Sequence, residues 1–248
     1  MSTPLSPLTT WTRRRRWLPR LAVLGLSAAI VLNPVSQARA SFCERDAMLV
    51  FDASSSMALP KAGPAPARID DARRAMANVL PDIASLRRIG LMIYGPPHMA
   101  NGQNCNGIRL RFGPRPDAAS SVTAALNELA PDGLTPLAAS VQAAAETLTF
   151  REEPAIIVVV TDGIDTCGGE PCALGRQLAA QGAHITVHVV GFRRVRDVLA
   201  LNGVPDEDER HDNLRCLAQA TGGTYVDTET VAELSAALRE TLGCPLVG

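Results

Sequence analysis

Two stretches of this chain, Ala47-Met-Leu-Val-Phe51 and Ala155-Ile-Ile-Val-Val-Val160, are apolar at every position. A strand with one wet face alternates apolar and polar residues, so runs without alternation belong to strands covered on both sides, as in parallel sheets. Ile89–Tyr94, Ile185–Val190 and Thr224–Val226 are further strand candidates. Between them lie segments with helical spacing: Ile69, Ala72, Met76, Val79 and Ile83; Val122, Ala125, Leu126 and Leu129; Leu137, Val141, Ala145 and Leu148; and Val231, Leu234, Leu238 and Leu242. Shorter helices are predicted over Cys172–Gln181 and Asp212–Ala220. One strand candidate differs, because Ile108, Leu110 and Phe112 alternate with Arg109 and Arg111, the pattern of a half-exposed edge strand able to run antiparallel. The expected architecture is therefore α/β: a doubly wound, mostly parallel six-stranded sheet with one antiparallel edge strand and helices on both faces.

The first forty residues hold no acidic side chain, carry Arg13 to Arg16 and Arg20, and continue into the apolar run Leu21–Leu32 before Ala38-Arg-Ala40. That order of regions predicts a signal peptide over residues 1–40, cleaved after Ala40, and a single domain over residues 41–248. The apolar run is short for a membrane span, so no span is expected after cleavage. Six of the chain's 24 basic residues lie in this leader and none of its 25 acidic ones, which leaves the remainder with a formal net charge of −7. Nucleic-acid binding would call for a basic stripe, and this balance argues against it. All six cysteines, Cys43, Cys105, Cys167, Cys172, Cys216 and Cys244, follow the leader. An even number in an exported chain reads as disulfides and places the protein in the periplasm or outside the cell.

Directly after the first apolar run come Asp52, Ser54 and Ser56, three oxygen side chains at alternate positions. Thr161-Asp162-Gly163 closes the strongest strand signal, and Asp132-Gly-Leu-Thr135-Pro136 opens a predicted helix. Thr135 before a proline also reads as a helix N-cap, and Asp165 as an Asx turn. Ligands of open parallel sheets sit beyond the carboxyl ends of strands. A cation there would meet only hard oxygen donors, which suits magnesium, or else manganese or calcium, and not zinc or copper.

Together these segments resemble the von Willebrand factor type A domain, whose metal-ion-dependent adhesion site is written D-x-S-x-S on one loop, a threonine on a second and an aspartate on a third. The resemblance runs from about Cys43 to Leu242. It implies that Asp52, Ser54, Ser56, Thr135 and Asp162 hold a divalent cation, Mg2+ before Mn2+ or Ca2+, with a position left open for a carboxylate of a protein or other macromolecular partner. Asp165 is a candidate for the shell behind these ligands. In the same topology the two ends of the domain meet opposite the metal, so Cys43 is expected to pair with Cys244; Cys167 with Cys172 is expected as a local clamp, leaving Cys105 with Cys216.

No catalytic residue is assigned and no enzymatic activity is expected. A haloacid-dehalogenase-type phosphatase needs a second acid where Ser54 stands, Lys61 is the only lysine, and neither a phosphate loop nor a nucleophile elbow occurs. Beside the adhesion reading stand a metal-independent scaffold of the cell envelope and, behind it, an uncharacterised hydrolase. His184 and His188 lie too far apart along a strand to share a metal and are expected to be packed in the core.

Overall fold

The unbroken apolar runs form the middle of a sheet covered on both faces. The structure, a computed structural model, describes residues 43–60, 66–96, 105–181, 184–192 and 207–244. Its strands are β1 (Asp46–Asp52), β2 (Ile89–Tyr94), β3 (Ile108–Arg115), β4 (Ala155–Thr161), β5 (Ile185–Phe192) and β6 (Tyr225–Thr228). The helices are α1 (Arg68–Ala84), α2 (Ala119–Asn127), α3 (Leu137–Thr147), α4 (Pro171–Gln181), α5 (Glu207–Ala220) and α6 (Val231–Thr241). The leader predicted over residues 1–40 lies outside the described residues.

The strand order is β3-β2-β1-β4-β5-β6, with every neighbouring pair parallel except β2 and β3. Every residue of β2 and β4 is buried, which is why neither strand alternates. Side chains of opposite parity along β1 enter two separate cores: Leu49 and Phe51 pack toward α1, α2 and α6, whereas Met48 and Val50 pack toward α3, α4 and α5. At roughly 2 kcal/mol for each fully buried large apolar side chain, these two layers supply most of the driving force for the fold. The helical spacings read from the sequence fall on the buried faces, as with Ile69, Ala72, Met76, Val79 and Ile83 of α1.

β3 is the half-exposed antiparallel edge that its arginines indicate. It runs to Arg115 rather than stopping at Phe112, because Arg115 pairs with Ile89 at the start of β2 after a shift in register. Among the described residues no helix is long and apolar enough to cross a membrane.

Cys43 and Cys244 are bonded, with their Cα atoms 5.4 Å apart. The bridge joins the segment before β1 to the end of α6, as expected. The other two expected pairs are not formed. Cys105 is bonded to Cys167 and Cys172 to Cys216, with Cα separations of 5.6 and 4.9 Å. Pro171 opens α4, which places Cys172 in the first turn of a helix and ties it to α5, while Cys167 stays on the loop after β4 and meets the segment that leads into β3. Nearness in sequence does not decide such pairs when a helix begins between the two cysteines.

Candidate metal centre

The chain leaves β1 for β2 and β3 on one side of the sheet, then crosses to β4 on the other. The point where strand order reverses is thus the carboxyl edge of the adjacent strands β1 and β4. Asp52 is the last residue of β1, and Asp162 follows the last residue of β4.

Asp52 is fully buried. Its Oδ1 accepts the Ser54 amide at 2.8 Å, and its Oδ2 accepts the Thr161 hydroxyl at 2.6 Å. The Ser54 and Ser56 hydroxyls lie 3.1 Å apart, and the Ser56 hydroxyl donates to Oδ1 of Asp162 at 2.7 Å. The oxygens of Ser54, Ser56 and Asp162 therefore form one connected cluster, and Asp52 joins it through the Ser54 amide. The second loop is pinned to the first by backbone bonds, from the Asp132 amide to the Ala53 carbonyl at 2.9 Å and from the Ser55 amide to the Gly133 carbonyl at 3.1 Å. Behind the first loop Gly95 has φ 119°, and a Cβ there would come within 2.4 Å of the Ala53 backbone. Only glycine permits that approach.

Thr135 does not cap α3. The cap position is Pro136, with no side-chain capping bond, and Thr135 stands one residue earlier. Its amide donates to the Thr166 hydroxyl at 2.8 Å and its carbonyl accepts the Thr166 amide at 3.0 Å. The hydroxyl of Thr135 has no hydrogen bond among the described residues, and the residue is only 5% exposed. Capping falls instead to Asp165, whose Oδ2 accepts the Ala138 amide at 2.9 Å while Oδ1 accepts the amides of Cys167 and Gly169 at 2.8 and 2.9 Å. Both oxygens of Asp165 are thus engaged by backbone, fixing the third loop and the start of α3 together.

Burial, and after it the negative charge of Asp162, raises the Asp52 carboxyl to a pKa of about 6, against the hydrogen bonds from Ser54 and Thr161. The buried Tyr94 hydroxyl is raised well above its ordinary range, first by burial and then by the charge of Asp52. It has no hydrogen-bond partner among the described residues. The edge thus holds an excess of negative charge and a set of hard oxygens, which fits a divalent cation of the magnesium or calcium type.

A neighbour absent from the sequence reading is Arg68. Its guanidinium donates to Oδ2 of Asp162 in an ion pair whose carboxylate side chain is fully buried. A signal for it exists, since Arg68 opens α1 and a cation at a helix N-terminus is disfavoured by the helix dipole unless something else holds it. Thr161 and Thr166 also position this edge, and the strand and loop patterns around them carry no sign of it. Of the two histidines only His188 is packed in the core: it lies on β5, its Nδ1 accepts the Thr224 amide at 3.2 Å, and burial lowers its pKa to about 4. His184 lies outside the strand, exposed, with φ 65°.

The switch-point location and the oxygen cluster describe a doubly wound domain with hard oxygen donors gathered at its carboxyl edge. Residues 47–164, from β1 to the loop after β4, match the family model of the von Willebrand factor type A domain. Together with the fold, this match supports a von Willebrand factor type A domain in the chain. The chain is 27% identical over 229 residues to the uncharacterised protein YwmD of Bacillus subtilis (strain 168), a similarity covering 87% of this chain and 92% of YwmD. It is similar in fold to an aerotolerance-related membrane protein of Bacteroides fragilis NCTC 9343, with a TM-score of 0.56 and 19% identity over 80% of this chain and 98% of the other. A von Willebrand factor type A structure from Catenulispora acidiphila gives a TM-score of 0.52 at 17% identity, covering 80% of this chain and 42% of the other.

Proposed function

We propose that this chain is an exported interaction domain that recognises an acidic group of a macromolecular partner through a divalent cation, Mg2+ before Mn2+ or Ca2+. The observation that carries the reading is the oxygen cluster itself, in which the Ser56 hydroxyl bridges toward Ser54 and bonds Asp162 beside the buried Asp52. Asp52, Ser54, Ser56, Thr135 and Asp162 would hold the cation. The cation would supply an electrophile for the partner's carboxylate. Asp52 is kept in place by Thr161 and the Ser54 amide, Thr135 is kept in place by Thr166, and Asp165 locks the third loop, so the donors need little rearrangement. The hydroxyl of Thr135, which makes no hydrogen bond among the described residues, is available as a further oxygen donor. Three disulfides support export to an oxidising compartment.

The ion pair between Arg68 and Asp162 favours a second reading, a scaffold whose edge is closed by its own arginine and needs no metal. Crosslinked pulldown from envelope extract separates the two. On the first reading capture of the partner is lost with chelator and returns with Mg2+, whereas on the second it is indifferent to both.

A further inference from the structure

Arg68 is buried, with 9% of its surface exposed, and its guanidinium reaches from the first residue of α1 to the aspartate beyond β4. The two acids in the first turn of α1 are engaged by that helix itself, Asp70 by Arg73 at 2.8 Å and Asp71 by Arg74. Arg68 is thus left to an anion of the oxygen cluster. The pair is an incomplete one. Nε of Arg68 is buried with no hydrogen-bond partner among the described residues, and the positive end of the α1 dipole repels the guanidinium. A buried ion pair is held firmly only when the remaining donors are satisfied as well.

We propose that Arg68 is the built-in counter-cation of this centre, holding the Asp162 carboxylate in the metal-free protein and competing with a divalent cation for it. The inference rests on the metal reading above. Without a metal the cluster carries two buried carboxylates, and the guanidinium offsets one of them. A divalent cation bound by the same oxygens would place two further positive charges beside the guanidinium, so Arg68 must give way or weaken the binding. Arg68 therefore sets how tightly the centre loads, and it stabilises the empty form.

The test measures Mn2+ binding to the purified full chain by the loss of the free-ion paramagnetic resonance signal, together with thermal unfolding with and without saturating Mn2+. Arg68→Gln should tighten Mn2+ binding about tenfold or more, lower the Tm of the metal-free protein, and leave the Tm of the metal-saturated protein near that of the wild type. Arg68→Lys, which keeps the charge, should bind Mn2+ much as the wild type does. A merely structural arginine would lower both Tm values and leave the affinity unchanged, and that result would overturn the inference while leaving the metal reading intact. Failure of wild type and variant alike to bind Mn2+ would overturn both. A measurement on the wild type guards against a variant that does not fold: in arginine side-chain 15N spectra, saturating Mg2+ should move the Arg68 signal and leave that of the buried Arg87 in place. Binding of Mg2+ with the Arg68 signal unmoved would contradict the proposal.

Discussion

Two buried arginines stand at opposite ends of this sheet and meet different chemistry. Arg87, just beyond α1, is 2% exposed and donates to the Arg45 carbonyl at 3.0 Å and toward the Gly243 carbonyl at 3.5 Å, beside the Cys43–Cys244 bridge. Burial, and after it the charge of Arg45, lowers its pKa to about 10. Through these backbone carbonyls it ties the residue before the first strand to the turn after the last helix. Arg68, at the other end of the same helix, meets the carboxylate of Asp162 within the oxygen cluster. A guanidinium on carbonyls from distant segments is a structural tie; one on an acid of a cation-type cluster is a counter-ion that another cation can replace.

The largest effect should come from Asp162→Asn, which removes an anion that both Arg68 and the proposed metal use. Mg2+ affinity is expected to fall about a hundredfold, and the metal-free protein to lose about 3 kcal/mol because Arg68 is left without its partner, both readable by calorimetry and denaturant unfolding. If the variant lost stability but kept its Mg2+ affinity, the carboxyl edge would resemble the Arg87 end after all. Arg87→Met, next in size, should cost about 2 kcal/mol through unsatisfied carbonyls, equally with and without Mg2+, and leave Mg2+ affinity unchanged. A change in affinity would mean that the two ends are coupled.

The pH response sharpens the contrast. The Asp52 carboxyl of the metal-free fold is raised from an ordinary 3.8 to about 6, so between those values the folded protein holds a proton that the unfolded chain has released. Asp52 therefore lends stability to the metal-free protein below about pH 4, and that contribution is lost as pH rises through 6. Metal binding needs the proton gone, so Mg2+ affinity should fall by up to about tenfold per pH unit below 6, a trend visible in titrations at stepped pH. Smallest is Thr135→Ala. Because Thr135 caps no helix, its loss should cost under about 0.5 kcal/mol of stability while weakening Mg2+ binding severalfold. Equal losses in the metal-free and metal-bound states would assign the hydroxyl a structural role instead.

The central strands were legible because burial on both faces erases alternation, and β3 because Arg109 and Arg111 restore it. The nearness of Asp52, Ser54, Ser56 and Asp162 was legible, since strand ends and loop spacings fix which side chains reach the carboxyl edge; that they and Thr135 hold a cation is the proposal. Cap and bridge were harder to read. The cap of α3 comes from Asp165, on a loop distant in sequence from that helix, so the local Thr135-Pro136 pattern pointed to the wrong residue. The bridges of Cys167 and Cys172 depend on where α4 begins and on which neighbours fold back against it, and Pro171 between them separates their partners. Arg68 was hidden because an arginine beside two acids at a helix start looks like an exposed face, whereas those acids pair with Arg73 and Arg74.

The central claim is that Asp52, Ser54, Ser56, Thr135 and Asp162 make one cation site, and isothermal titration of Mg2+ into the full chain and into folded Asp162→Asn tests it most directly. The account predicts a single saturable site in the wild type and loss of that binding in the variant. Absence of saturable binding in the wild type, or undiminished binding in the variant, would contradict it.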